Sequence, residues 1–509
     1  MTGSKMGRAT GRIKRNSAPL TRRQFAQAMT GGLATMALGG LFGCAPQQAA
    51  AAEAKAKQTL EFDVLVLGGG GAGVTAAGKA AEAGAKTVLV EKMPWLAGSS
   101  SLAIGTFYGA GTKLQKAAGI EDAPEGLLEY FLSRGGDKLD GEMQKFCAQH
   151  FGETIDWLVD ELQVPFKETV SKKGKDTVPR GHNCVNNAMD ALRAVTAYAQ
   201  QQGAEFHFGT TVESLVVDGV GAVVGVLARR GNGEVIQYKA NSIIVATGGF
   251  CRNAAMIDEY MPDYTGVYTE VGVGCTGEGL QMGLDIGADY VGHGGTNGIL
   301  ACSVEPGQSK LISTKALWVN TKGARFANEA GQTHDIYYDV AHFDDQKFYA
   351  VYDQAMVDAL DEDLRAKFEF GLDQGVFAKG ATVAEAAKAI GVDGAAAQAT
   401  LDTYNEMAAA GADTQFKKKA ENLIPLTAAP YYVLTMGVCT HGSFGGYNVN
   451  TQFQVLDTAG QPIPNLYSAG EVCCGTFIYD DYPAGGCGLN WSYTSGRFSG
   501  TNAAKAALA

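Results

Sequence analysis

Gly68-Gly69-Gly70-Gly71-Ala72-Gly73 satisfies G-x-G-x-x-G through Gly68, Gly70 and Gly73, and Glu91 stands 18 residues further on. Each of these residues has a physical task. Gly68 permits a tight turn, Gly70 and its neighbours Gly71 and Ala72 let backbone approach a pyrophosphate, and Gly73 lets a helix pack closely on a strand. A helix starting here presents unpaired N–H groups and a positive dipole end to phosphates. Glu91 can accept hydrogen bonds from both ribose hydroxyls of an adenosine, and its charge disfavours a 2′-phosphate. This is the chemistry of dinucleotide binding.

The pattern alone is weak, because Gly272-Val273-Gly274-Cys275-Thr276-Gly277 fits it too. Local elements separate the two copies. Glu61–Leu67 is a short apolar run that predicts a buried strand, Val74–Ala83 predicts a helix ending at Gly84, and Lys86–Val90 predicts a second strand ending at Glu91. Ahead of the second copy, Thr265–Val271 is a poor strand. Only one complete strand–turn–helix–strand unit is therefore expected, which leaves no second site for a nicotinamide donor and favours FAD over NAD. Two later buried strands end in glycine turns, Asn241–Gly249 and Leu466–Glu471, as expected when a large flavin domain returns to its first sheet.

The chain has 509 residues and a formal charge of −12, with 46% hydrophobic and 18% charged residues. Such a balance supports large cores and argues against nucleic acid as a partner. Residues 1–43 carry seven Lys/Arg and no acid, leaving 34 basic and 53 acidic residues elsewhere, or −19. Thr21-Arg22-Arg23-Gln24-Phe25 precedes a glycine-diluted apolar run, the form of a twin-arginine export signal over 1–43. Leu41-Phe42-Gly43-Cys44 resembles a lipoprotein box, with Cys44 as the acylated residue, and cleavage in Ala49–Ala52 is the rival. Residues 44–58 would then be a tether. The nine other cysteines have irregular spacing and no Cys-x-x-Cys, so neither a disulfide framework nor attached c-type haem is expected. No metal site is expected.

Five ordered motifs resemble the FAD-dependent fumarate reductase family, which includes urocanate-type reductases and 3-ketosteroid Δ1-dehydrogenases. They are Glu91-Lys92 with the loop Gly98-Ser99-Ser100, then Thr276-Gly277-Glu278-Gly279, Gly323-Ala324-Arg325-Phe326-Ala327-Asn328-Glu329, Ala469-Gly470-Glu471, and Gly496-Arg497. The resemblance covers about 60–509. It implies an α/β fold: a Rossmann-like FAD-binding domain in two sequence segments, 60–285 and 436–509, with an inserted α+β capping domain at 286–435. The helical stretch Thr382–Ala410 would belong to the cap. It also implies an extended cofactor set: Gly105, Val212, Ala246, Thr247, Gly248, Glu278, Glu471, Leu489 and Asn490. The flavin would be non-covalent, since Gly98–Ser101 lacks the histidine that succinate dehydrogenases use.

The implied chemistry is hydride transfer from reduced flavin N5 to a polarised double bond, with a proton delivered to the other carbon. The resemblance makes Arg325 the proton donor. An arginine used by short-dicarboxylate reductases is absent from Asp481-Tyr482-Pro483-Ala484-Gly485-Gly486. That stretch instead resembles the Tyr-Pro-Gly-x-Gly of ketosteroid dehydrogenases, where Tyr482 and the N–H of Gly486 would bind a ketone oxygen, as an oxyanion hole does. His441 is a shifted counterpart of the family's substrate histidine. The expectation is an exported reductase of an activated C=C, in an enone or enoate, at the outer face of the cytoplasmic membrane or in the cell envelope. Electrons would come from an external donor such as a membrane-anchored cytochrome. Ketosteroid dehydrogenation in the oxidative direction, reduction of a fumarate-like dicarboxylate, and non-catalytic electron carriage stay open.

Overall fold

The strand Gln58–Leu67 is fully buried over Val64–Leu67, because it lies inside a parallel sheet covered on both faces. A computed structural model describes residues 56–509, apart from 97, 136–137, 306–308, 332 and 480–481. The expected export signal, Cys44 and most of the tether lie outside the described residues. The main sheet has eight strands. Its order runs Gln454–Leu456, Pro462–Ser468, Val235–Val245, Gln58–Leu67, Thr87–Val90 and Glu205–His207. The four central pairings are parallel. Thr210–Val217 and Val223–Arg230 form an antiparallel meander leading into Val235–Val245.

The first strand, the helix Gly71–Glu82 and the strand Thr87–Val90 fall where periodicity and glycine spacing place them. Both later buried strands also return to this sheet, beside one another, with Ser468 opposite Val245. The fold is therefore α/β with a flavin-type sheet assembled from two distant stretches. The carboxy-terminal helix Cys487–Ala507 lies against Gly71–Glu82. Cβ atoms at Gly496 and Gly500 would stand 2.5 and 2.3 Å from the carbonyl oxygens of Ala72 and Ala76. Small residues here let two helix backbones approach closely.

A second sheet of six strands is built around the strand Tyr431–Tyr447. The first half of this strand pairs with Lys347–Asp353 and Phe377–Gly380, and the second half with Tyr290–Cys302 and Tyr268–Thr269. It thus runs unbroken through the expected boundary at 435/436. The stretch Thr382–Ala410 is two helices, Val383–Ala389 and Gly394–Ala409, broken at Gly391 with φ +81°. Thr382 and Asp393 cap them through side-chain oxygens. Both helices bury Val383, Ala386, Ala397, Leu401 and Tyr404 in a core separate from that of the main sheet. A three-stranded sheet of Thr106–Tyr108, Gly181–Cys184 and Phe166–Ser171 completes the body. Among the described residues no helix is long and apolar enough to cross a membrane. The nine described cysteines are free and buried.

Candidate active site

Leu67 hands the chain to Gly68, whose φ of +106° and closeness to Ala246 O exclude a side chain, since a Cβ would lie 2.5 Å from that oxygen. Gly73 sits below the turn, where a Cβ would stand 2.0 Å from Gly68 O. It packs helix on strand as its motif position requires, and it does not line the cavity. Above the turn lies a cavity of about 640 Å³, walled by Gly68–Ala72, Glu91–Met93, Gly98–Leu102, Thr210–Val212, Ala246–Gly248, Thr269–Cys275, Glu278 and Gly470-Glu471.

The residues of this wall fit FAD. Helix Gly71–Glu82 has no acid in its first turn and no side-chain cap, so its first N–H groups can serve a phosphate. Gly71 N donates to Ser100 Oγ at 3.1 Å, tying the turn to the loop above it. Glu91 accepts from Gly69 N at 2.6 Å and Met93 N at 2.7 Å, which fixes its carboxylate at the end of the second strand. Val212 closes that end. Thr247 and Thr269, also in the wall, carry buried hydroxyls without a partner among the described residues. Such orphaned hydroxyls are what a polar ligand satisfies.

Lys92 donates to Thr276 Oγ1 at 2.6 Å and pairs with Glu278 at 3.1 Å. Burial would raise the Glu278 pKa, but Thr276, its own N–H and Lys92 outweigh it and hold it low. Glu471 accepts from Ser443 N at 2.8 Å and Ser443 Oγ at 3.1 Å, and burial raises its pKa.

Of the expected cofactor residues, Gly70, Gly71, Ala72, Glu91, Lys92, Gly98, Ser99, Ser100, Val212, Ala246, Thr247, Gly248, Glu278 and Glu471 line the cavity. Gly105, Leu489 and Asn490 do not. Gly105 crosses Asn187 and Ala188 at φ +90°. Asn490 is fully buried and donates to Tyr108 O and Phe151 O, and Leu489 is core. Gly470 and Ser492, not expected there, line the cavity.

The second glycine copy, Gly272–Gly277, also contributes to the wall. Gly272, Gly274 and Cys275 line the cavity, and Gly272 N donates to Ser99 Oγ at 3.0 Å. Glycine is needed there because a Cβ at Gly272 would stand 2.8 Å from Gly98 C.

Arg325 is not at this site. Its guanidinium donates to both Glu329 oxygens at 2.9 and 2.8 Å and to Asp413 at 2.8 Å, and its side chain is 2% exposed. Lys418 Nζ pairs with Glu329 Oε2 at 3.2 Å. Burial opposes the charge on Arg325, but the two carboxylates outweigh it and raise its pKa, the wrong direction for an acid. None of these four residues lines the cavity. Arg325 is thus a buried, ion-paired cation away from the cavity wall, with Nη1 left without a hydrogen-bond partner among the described residues.

Tyr482 and Gly486 lie close together, and neither lines the cavity. Tyr482 Oη accepts from Gly488 N at 2.7 Å, and the N–H of Gly486 turns toward the same oxygen. The ring lies on Phe444, with centroids 5.4 Å apart and planes 18° apart. Phe444 follows Ser443, the residue that holds Glu471 in the cavity wall. Burial and nearby Cys487 raise the Tyr482 pKa, so the phenol keeps its proton. His441 Nε2 lies 2.5 Å from Glu270 Oε2, and Glu270, which sequence reasoning missed, lines the cavity.

A parallel sheet with a glycine turn, a ribose acid and a cavity running away from both defines a flavoprotein. The chain belongs to the FAD binding domain family, whose model matches residues 63–489. It is 30% identical over 464 residues to urocanate reductase of Eggerthella lenta, covering 88% of this chain and 75% of that one. It is also 30% identical over 457 residues to NADH:fumarate oxidoreductase of Klebsiella pneumoniae, covering 88% of this chain. The chain spans about half (48%) of that protein's length.

Two solved structures superpose well. The open conformation of a flavocytochrome c3 fumarate reductase gives a TM-score of 0.76 at 29% identity, covering 91% of this chain and 81% of that one. The 3-ketosteroid-Δ4-(5α)-dehydrogenase from Rhodococcus jostii RHA1, in complex with 4-androstene-3,17-dione, gives 0.71 at 26%, covering 88% and 98%. The chain is an FAD-dependent oxidoreductase with an FAD-binding domain and a capping domain.

Proposed function

We propose that this protein reduces an activated C=C conjugated to a carbonyl, as an exported terminal reductase fed by an external donor such as a membrane-anchored cytochrome. The observation that carries the carbonyl preference is Tyr482. Its oxygen takes an N–H from Gly488, which leaves the O–H to donate and polarises it. A phenol beside backbone N–H groups suits a ketone or ester oxygen, where charge develops as the bond is reduced. A carboxylate clamp would instead need arginine, and the arginine in the described cavity wall, Arg252, donates to Val271 O at 2.9 Å.

When bound and reduced, FAD supplies two electrons and one hydrogen to the acceptor. The chain supplies orientation, a polarising donor, and exclusion of water by a cap over about 286–435. Urocanate reductase and the fumarate reductases among its relatives act on C=C bonds, which supports the reductive direction. Export by the twin-arginine route, with Cys44 as a lipid anchor, belongs to the same reading, because that route carries a folded, FAD-loaded chain. The acidic body favours a basic redox partner.

A second reading, ketosteroid dehydrogenation in the oxidative direction, is favoured by the same tyrosine and by the likeness to the Rhodococcus enzyme. Anaerobic assays with reduced viologen against enones, enoates and dicarboxylates decide between them. Oxidation of the dye by an enone, with the saturated product detected by mass spectrometry, is the expected result. A dye that stays reduced with every acceptor, while a 3-ketosteroid reduces the oxidised flavin, transfers the assignment to the second reading.

A further inference from the structure

Arg325 is ion-paired away from the cavity, whereas the cavity wall itself holds one carboxyl group with a histidine behind it. The strand Tyr268–Thr269 runs parallel to Tyr431–Tyr447, with Tyr268 opposite Cys439 and Thr269 opposite Thr440. The next residues on each strand are therefore neighbours. Glu270 N donates to Thr440 O at 3.0 Å, and the Glu270 carboxylate meets His441 Nε2 at 2.5 Å. Glu270 faces the cavity, and the His441 side chain is 20% exposed behind it.

We propose that Glu270 and His441 are the acid pair that protonates the substrate, with Glu270 as the donor and His441 as the group that orients and refills it. The proposal rests on the reductase reading above. Other titratable groups of the wall are committed elsewhere: Glu91 to Gly69 and Met93, Glu278 to Lys92 and Thr276, and Glu471 to Ser443. Cys275 is pushed up to about 11 by burial beside Glu471. Among these wall carboxylates, Glu270 is the one that meets an imidazole, His441 Nε2 at 2.5 Å.

Saturating one C=C takes two electrons and two hydrogens. One hydrogen arrives with the electron pair from the reduced flavin, which is oxidised. The other arrives as a proton when the Glu270 O–H bond breaks and the second C–H bond forms. His441 then returns a proton to the carboxylate and recovers its own from solvent.

The test uses holoprotein reduced with dithionite under anaerobic conditions and mixed with an enone that reoxidises the native flavin. E270Q and H441A are expected to retain FAD, accept electrons at the native rate, and reoxidise at least about 100-fold more slowly. Imidazole is expected to restore part of the H441A rate. Native reoxidation rates in both variants overturn the proposal, and so does an H441A loss that imidazole leaves unchanged.

Cys439 Sγ lies within 4.8 Å of both ligand atoms, so the trio could instead hold a metal. Activity lost to a chelator and returned by Zn²⁺ would overturn the proton role in favour of that one. Native protein that no acceptor reoxidises removes the reductase reading itself, and this is seen before any variant is made.

Discussion

Arg325, Glu329, Asp413 and Lys418 form a buried group of two cations and two anions. Tyr404 and Phe416 flank the guanidinium at 5.3 and 4.9 Å. Removing one member strands the others without compensation. Arg325→Ala is therefore expected to lower stability by about 3–5 kcal/mol, measured by denaturant unfolding. The fraction that still folds should keep native flavin reoxidation, which a catalytic arginine would not allow. Tyr482→Phe should do the opposite: FAD content and melting temperature near native, and turnover of an enone down about 100-fold or more. Native turnover in that variant would remove the carbonyl-binding role. Arg325 and Glu329 share one local motif, but Asp413 lies 88 positions away and only folding brings it in. Glu270 was hidden for the same reason, because its contact with His441 depends on strand register and it belongs to no local motif.

At the scale of elements, the dinucleotide unit was legible because its order of strand, turn, helix, strand and acid is contiguous in the chain. The closing Gly496-Arg497 was legible as a motif, yet its work is packing. Gly496 admits the Ala72 carbonyl, and Arg497 donates to Thr154 Oγ1 at 2.9 Å over the Trp157 ring. The helix pair explains why a site so near the amino end depends on the carboxyl end. Gly500→Val would drive a side chain into Ala76 O and tilt the helix that carries the phosphate turn. The expected outcome is a loss of about 1–3 kcal/mol in stability and weaker FAD retention on gel filtration. Unchanged FAD content would show that the turn holds its geometry without this contact. The second sheet was not legible, since Tyr431–Tyr447 draws partners from four separate stretches of chain.

For the whole molecule, acid is a stronger threat than the net charge suggests. His182 is buried between Thr112 Oγ1 at 2.8 Å and Phe107 O, and burial lowers its pKa to about 4. The unfolded chain takes up this proton near pH 6.5, well before the folded one does. Stability is therefore full above about pH 6.5 and falls as pH drops toward 4, by about 3 kcal/mol for this group. Denaturant midpoints at pH 7 and pH 5 should differ in the native protein and differ less in His182→Gln. An equal drop in both would move the acid sensitivity to other groups.

The strand Tyr431–Tyr447 has a consequence for how the molecule comes apart. It pairs with Lys347–Asp353, Phe377–Gly380 and Tyr290–Cys302 from the expected cap segment and with Tyr268–Thr269 from the flavin-binding segment, so neither segment can melt without stripping hydrogen bonds from the other. Calorimetry should record one heat-absorption peak for the holoprotein, with its van't Hoff and calorimetric enthalpies in agreement. The slowest-exchanging amides outside the main sheet should cluster near Met436–Thr440, where both halves share a single run of backbone.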